Sequence, residues 1–126
     1  MSKVLEKVKR IALIELELPA NKKKKQNVVA ICFDRRGKVF SIGTNSFSQS
    51  SGKMAELSKQ VDEDEKVFFH AEISSLTRWR RYSKDTNPHG IYVARLSKAG
   101  TLVNSKPCNT CALGLRLAGI RKIYHT

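Results

Sequence analysis

"KPCNTCALGLRLAGIRKIYH", residues 106 to 125, reads as a helix running directly into a strand. A proline and two cysteines open it. Apolar residues then recur at helical steps, Gly119 stops the helix as a C-cap glycine, and "IRKIYHT" ends the sequence as a β-rich run. Just upstream, "GIYVARL" at 90 to 96 is another strand, with Asn87, Pro88 and Gly90 marking the turn before it. Strand, helix and strand in that order imply a crossover connection and parallel pairing of the two strands.

Working outward, "FFHAEISSLTRWRRY" at 68 to 82 has helical propensity and places Ala71, Ser74 and Ser75 where another element can approach closely. "NVVAICF" and "KVFSIGTN" are two β-rich runs joined by "DRRG", whose Gly37 suits a hairpin loop, so they are expected to be antiparallel neighbours. Val4, Leu5, Val8, Ile11, Ala12 and Leu16 recur at steps of three and four, which predicts an amphipathic helix over residues 3 to 17, ended near Pro19. "NKKKK" reads as a charged connector. From Ser46 to Lys66 the composition predicts a long loop with one short helix at Met54 to Lys59. The order αββαβαβ, with helices on both faces of the sheet, predicts a three-layer α/β/α sandwich ending after the fourth strand. At 126 residues the chain is expected to be a single domain, 1–126.

A C-x-x-C pair serves redox chemistry, a structural zinc site or a catalytic zinc site. A redox pair belongs just after the first strand of a βαβ unit, whereas Cys108 and Cys111 lie near the end of the sequence. A structural zinc site needs four protein ligands, and the third and last cysteine, Cys32, sits inside the apolar run "NVVAICF", where a buried, inert thiol is expected. A site with three protein ligands and an open fourth position remains, and it requires one histidine. His70 stands with Glu72 at the mouth of the second long helix, as Cys108 and Cys111 stand in the first turn of the third. Helices that follow parallel strands begin at the carboxyl edge of the sheet, so the two helix starts meet there. Cysteines three apart share a helical face, and the positive end of the helix dipole favours their thiolates.

Charge is the strongest compositional signal: 24 Lys plus Arg against 11 Asp plus Glu leave a net +13. The bases cluster at Lys22 to Lys25, at Arg35, Arg36 and Lys38, and at Arg78, Arg80, Arg81 and Lys84. Such a surface attracts phosphates or polyanions, although any one cluster can equally be a solvated face. Trp79, among the arginines, suits a partly buried helix position better than a base-stacking one; Tyr82 and Phe47 call for the same caution. His89 and His125 read as loop and strand-end residues. No apolar stretch approaches a membrane span, so no membrane partner is expected. "MSKVLEKVKR" has no apolar h-region, and three cysteines complete no disulfide framework, so a reducing, cytoplasmic location is expected.

With "HAE" at 70 to 72 and "PCNTC" at 107 to 111, the chain resembles the zinc-dependent cytidine deaminase superfamily, whose signature is H-x-E followed by P-C-x-x-C. Within it, "HAEI" with "KPCNTCALGLRLAGIRKIYH" is most similar to deoxycytidylate deaminases and small phage-type deaminases, which would place the protein in a host cytoplasm if phage-encoded. The resemblance implies Zn²⁺ on His70, Cys108 and Cys111. It also implies Glu72 as the proton shuttle, Asn45 as a sugar contact and the backbone of Ala71 as a base contact. Family members commonly carry one more strand and helix than the sequence has before Thr126, so substrate contacts from those elements are expected to be missing. The implied substrate is a free cytosine nucleotide or nucleoside such as dCMP. A deaminase acting on cytosine, or less readily adenine, in single-stranded DNA or RNA stays open because of the basic surface. Formation of a homo-oligomer stays open as well. The remaining helix residues Ala112, Leu115 and Ala118 are expected to pack on the sheet.

Overall fold

A computed structural model describes residues 3–24, 27–38, 40–45, 56–57, 59–60, 70–83 and 86–126 of the protein. The first helix, α1 (Lys3–Leu16), buries Leu5, Val8, Ala12 and Leu16, the stripe that its apolar spacing dictates. It lies across one face of the sheet, on Val29, Ile31 and Phe33 of β1 (Asn27–Phe33) and Tyr92, Ala94 and Leu96 of β3 (Gly90–Leu96). The opposite side chains of the same strands, Ala30, Cys32, Ile91 and Val93, pack with Ala71, Leu76 and Trp79 of α3 (Ala71–Tyr82) and with Leu115, Ala118 and Ile120. Leu115 belongs to α4 (Asn109–Leu117), and Ala118 and Ile120 follow it directly. Helices therefore cover both faces, in three layers. Covering both faces is also why β1 and β3 read as nearly continuous apolar runs rather than alternating ones.

β2 (Phe40–Thr44) pairs antiparallel with β1, from Val29 opposite Thr44 to Phe33 opposite Phe40. The turn between them holds Gly37 at φ 70°, with the Gly37 N–H on the Asp34 carbonyl and the Lys38 N–H on Asp34 Oδ1. β1 pairs antiparallel with β3 on its other side, from Asn27 opposite Leu96 to Phe33 opposite Gly90. The crossover through α4 brings β5 (Lys122–His125) back parallel to β3, as the strand, helix and strand order predicts.

Two short elements differ from the expected order. Pro19–Lys22 forms a single helical turn, α2, in what reads as a charged connector. Leu102–Val103 forms a fifth strand, β4, which turns back antiparallel on Arg95 and Leu96 of β3. β4 and β5 thus lie end to end along one edge of β3. Thr126 Oγ1, just past β5, donates to the Val103 carbonyl of β4 at 2.6 Å, and Ser105 Oγ ties the chain after β4 to the Val93 carbonyl of β3 at 2.7 Å. Two-residue strands and one-turn helices carry no readable period; α2 is held by local bonds to Leu18 and Glu15, and β4 by its pairing with β3.

The expected helix at Met54 to Lys59 lies partly outside the described residues; Glu56 and Leu57 are helical. Ala112 does not pack on the sheet. A 3.6-residue turn puts Cys111, Leu115 and Ala118 on one buried face and leaves Ala112 exposed. No described helix is long and apolar enough to cross a membrane.

Candidate metal centre and active site

At the carboxyl edge of β3 the first residues of α3 and α4 face one another. His70 is the N-cap of α3 and Cys108 the N-cap of α4, both with extended backbone, and neither side chain caps its own helix. Cys111 follows in the first turn, held by the Ala112 N–H bond to the Cys108 carbonyl at 2.8 Å. The local chain thus turns both cysteines toward His70. Cys108 Sγ lies 3.6 Å and Cys111 Sγ 3.4 Å from His70 Nδ1, and the three ligand atoms all fall within 4.8 Å of one another. Metal–sulfur bonds of about 2.3 Å and metal–nitrogen bonds of about 2.0 Å at a tetrahedral angle place S and N about 3.5 Å apart. The donor set therefore fits zinc in both chemistry and spacing, with one tetrahedral position left over.

The electrostatics suit the same ion. Cys108 is lowered to about 3, first by a hydrogen bond from the Cys111 thiol and then by His70, which favours the thiolate that a metal needs. Glu72 is 5% exposed, and burial pushes its carboxyl above the usual carboxylate range. The Cys111 thiol also reaches that carboxyl, so Glu72 sits against the cluster without supplying one of its three donors.

α3 is seated on β2 by the glycine at 43. A Cβ there would overlap the Ala71 carbonyl oxygen and the Ser75 amide, so only glycine lets the start of α3 come this close to the strand. Ser41 Oγ donates to the Ser75 carbonyl at 2.8 Å, and Ser75 Oγ donates to the Glu72 carbonyl at 2.9 Å. These bonds fix the height of Glu72 above the sheet edge. The three small residues flagged for close approach behave accordingly: Ala71 and Ser75 are fully buried and Ser74 half-buried. As the first helical residue, Ala71 belongs to the turn whose amides have no carbonyl acceptor within the helix.

Asn45 follows β2 directly and is buried. Its Oδ1 accepts from the Val28 amide at 3.2 Å, and its backbone carbonyl accepts from Lys24 Nζ at 2.5 Å. The Lys24 contact was not visible in the sequence, where Lys24 is one member of a basic run; only the tertiary pairing of the α1–β1 connection with the end of β2 reveals it. Other residues lie apart from the cluster. Trp79 is buried, with Nε1 donating to the Thr86 carbonyl at 3.1 Å, so it offers no stacking face. His89 precedes β3 at the far end of the sheet, and His125 ends β5. Tyr82 is exposed, and Phe47 lies outside the described residues.

The family model described as "Cytidine and deoxycytidylate deaminase zinc-binding region" matches residues 2–126. The chain belongs to this family. No curated protein matches the sequence. Membership brings zinc as the metal and zinc-dependent deamination of cytosine as the general chemistry, and the cluster of His70, Cys108 and Cys111 is where the fold provides for that metal.

Proposed function

We propose that this protein hydrolyses the exocyclic amine of cytosine on a free nucleotide or nucleoside, dCMP foremost, giving uracil and ammonia. The observation that carries the reading is the buried Glu72 carboxyl set against a three-donor cluster that leaves one coordination position open. His70, Cys108 and Cys111 would hold the zinc. When bound, zinc supplies a Lewis acid that lowers the pKa of a water enough to yield a nucleophile near neutral pH. Glu72, whose burial raises the proton affinity of its carboxylate, would in its ionised form accept one proton of the attacking water and give it to the ring nitrogen, then carry the water's second proton to the departing amine. Asn45 binds the sugar, and the Ala71 backbone contacts the base.

Deamination of cytosine in a single-stranded polynucleotide is the second reading, and the net charge of +13 favours it. Ammonia release from cytidine, dCMP, dCTP and a cytosine-containing oligonucleotide separates the two. We expect dCMP to be turned over with the highest kcat/KM. The Glu72→Gln protein should keep stoichiometric zinc and lose about 10²- to 10⁴-fold in kcat, the usual contribution of general acid–base catalysis. Near-parent turnover by zinc-loaded Glu72→Gln protein would remove Glu72 as the shuttle. Asn45→Ala protein is expected to lose far more kcat/KM on sugar-bearing substrates than stability in denaturant unfolding; equal activity would take Asn45 out of the site.

A further inference from the structure

A separate cavity of about 400 Å³ opens on the side of the sheet edge that α1 approaches. Glu17, Lys22, Lys24 and Asn27 line it together with residues 96–100, which carry Lys98 in the turn between β3 and β4. Its size falls within the usual range of small-molecule sites. Glu17 neutralises Lys22 across 2.7 Å, but among the described residues no carboxylate lies within 4 Å of Lys24 or Lys98. Lys24 is half-buried, and desolvation by burial holds it below the usual lysine range. A cation stripped of part of its water, with no counter-charge among the described residues, is relieved by an anion.

The wall adds a second feature. Asn27 is 6% exposed, and its Nδ2 donates to the Leu16 carbonyl at 2.8 Å, which fixes the orientation of the amide. Its Oδ1 is then a buried acceptor with no partner among the described residues. That oxygen is closed off inside the wall, and the lysines Lys22, Lys24 and Lys98 are the charged donors that line the cavity. A phosphate, with several acceptor oxygens beside its charge, suits such donors.

The cavity is also tied to the site already described. Lys24 Nζ donates to the carbonyl of Asn45, the residue assigned to the substrate's sugar, so one side chain touches both places. We infer that this cavity is a phosphate subsite, in which Lys24 and Lys98 take the phosphate carried by a cytosine nucleotide. The adjacency to the sugar rests on the deaminase reading; the affinity for phosphate does not. The phosphate comes either from the monoester of a free nucleotide or from a phosphodiester of a strand.

Binding of the reaction products tests this without turnover. On zinc-loaded parent, Lys24→Gln and Lys98→Gln proteins, Kd is measured by calorimetry for dUMP, deoxyuridine, a uracil-containing oligonucleotide and pyrophosphate. The parent should prefer dUMP to deoxyuridine, and each substitution should shrink that preference by roughly tenfold, as loss of a charge-assisted hydrogen bond does. Collapse of the dUMP preference assigns the cavity to the monoester. A comparable loss confined to the oligonucleotide assigns it to a phosphodiester, and either result supports the subsite. An undiminished preference in both variants, with oligonucleotide and pyrophosphate binding equally unchanged, overturns it. Lys98 lies in an exposed turn, so its variant keeps the test valid if Lys24→Gln protein folds poorly. Loss of pyrophosphate binding in the variants of a protein that releases no ammonia from any cytosine substrate would uphold the subsite and sink the deaminase reading.

Discussion

Two thiols of this chain are driven in opposite directions by their surroundings. Cys108 is lowered to about 3 at the mouth of α4, while burial among Ala30, Leu76 and Ile91 raises Cys32 to about 11. The two values predict different chemistry for the same side chain. Cys108→Ala and Cys111→Ala proteins should lose the zinc that Cys32→Ala protein keeps, as metal analysis of the purified variants will show. Stoichiometric zinc in Cys111→Ala protein would rule out the three-donor site. Cys32 acts instead on stability at alkaline pH. Its ordinary pKa is near 9.0, so below that value the thiol is neutral in both folded and unfolded chains and its full contribution is present. Between about pH 9 and 11 the unfolded chain ionises while the folded one does not, and that contribution, about 2 to 3 kcal/mol, is lost as pH rises. Denaturant unfolding across this window should show parent protein losing more stability than Cys32→Ala protein; parallel losses would place Cys32 outside the core. The spacing of Cys108, Cys111, His70 and Glu72 made the candidate centre legible in the sequence, because each sits at a helix start that the pattern locates. Lys24 and Asn27 were not legible, because their significance lies in contacts between segments far apart in the chain.

At the scale of elements, the centre depends on how deeply α3 sits on β2, and Gly43 sets that depth. Gly43→Ala places a methyl group against main-chain atoms of Ala71 and Ser75, which cannot rotate aside as a side chain can. Helix and strand must separate, and overpacking of this kind costs typically about 1 to 3 kcal/mol. The shift falls on the helix that carries His70 and Glu72, so activity should drop further than the stability loss explains. Thermal unfolding and ammonia release measured on one preparation check this, and parent-like activity would mean that the approach of α3 does not position Glu72. Periodicity located the long elements: α1 ends at Leu16 against an expected 17, and both antiparallel and parallel pairings follow from connection type. The same reasoning misses α2 and β4, which are too short to carry a period, and misplaces Ala112, for which steps of three drift off the 3.6-residue face that Cys111, Leu115 and Ala118 occupy.

For the whole molecule, the excess of 24 basic over 11 acidic side chains acts on every anion that approaches, so attraction alone does not identify a substrate. Salt dependence does, because it counts the phosphates engaged. A free nucleotide held through one phosphate displaces about one counterion, and raising salt fourfold should lower kcat/KM for dCMP only about threefold. A single strand engaging about four phosphates has a slope near −0.7 per phosphate, and the same fourfold rise should cost it roughly 50-fold. The free-nucleotide reading therefore expects shallow salt dependence for the substrate with the highest kcat/KM. Steep dependence is then confined to oligonucleotide binding that leads to little ammonia. Oligonucleotide turnover that exceeds dCMP turnover at low salt and collapses as salt rises would invert the assignment, making the basic surface the substrate track and the free nucleotide the weaker ligand.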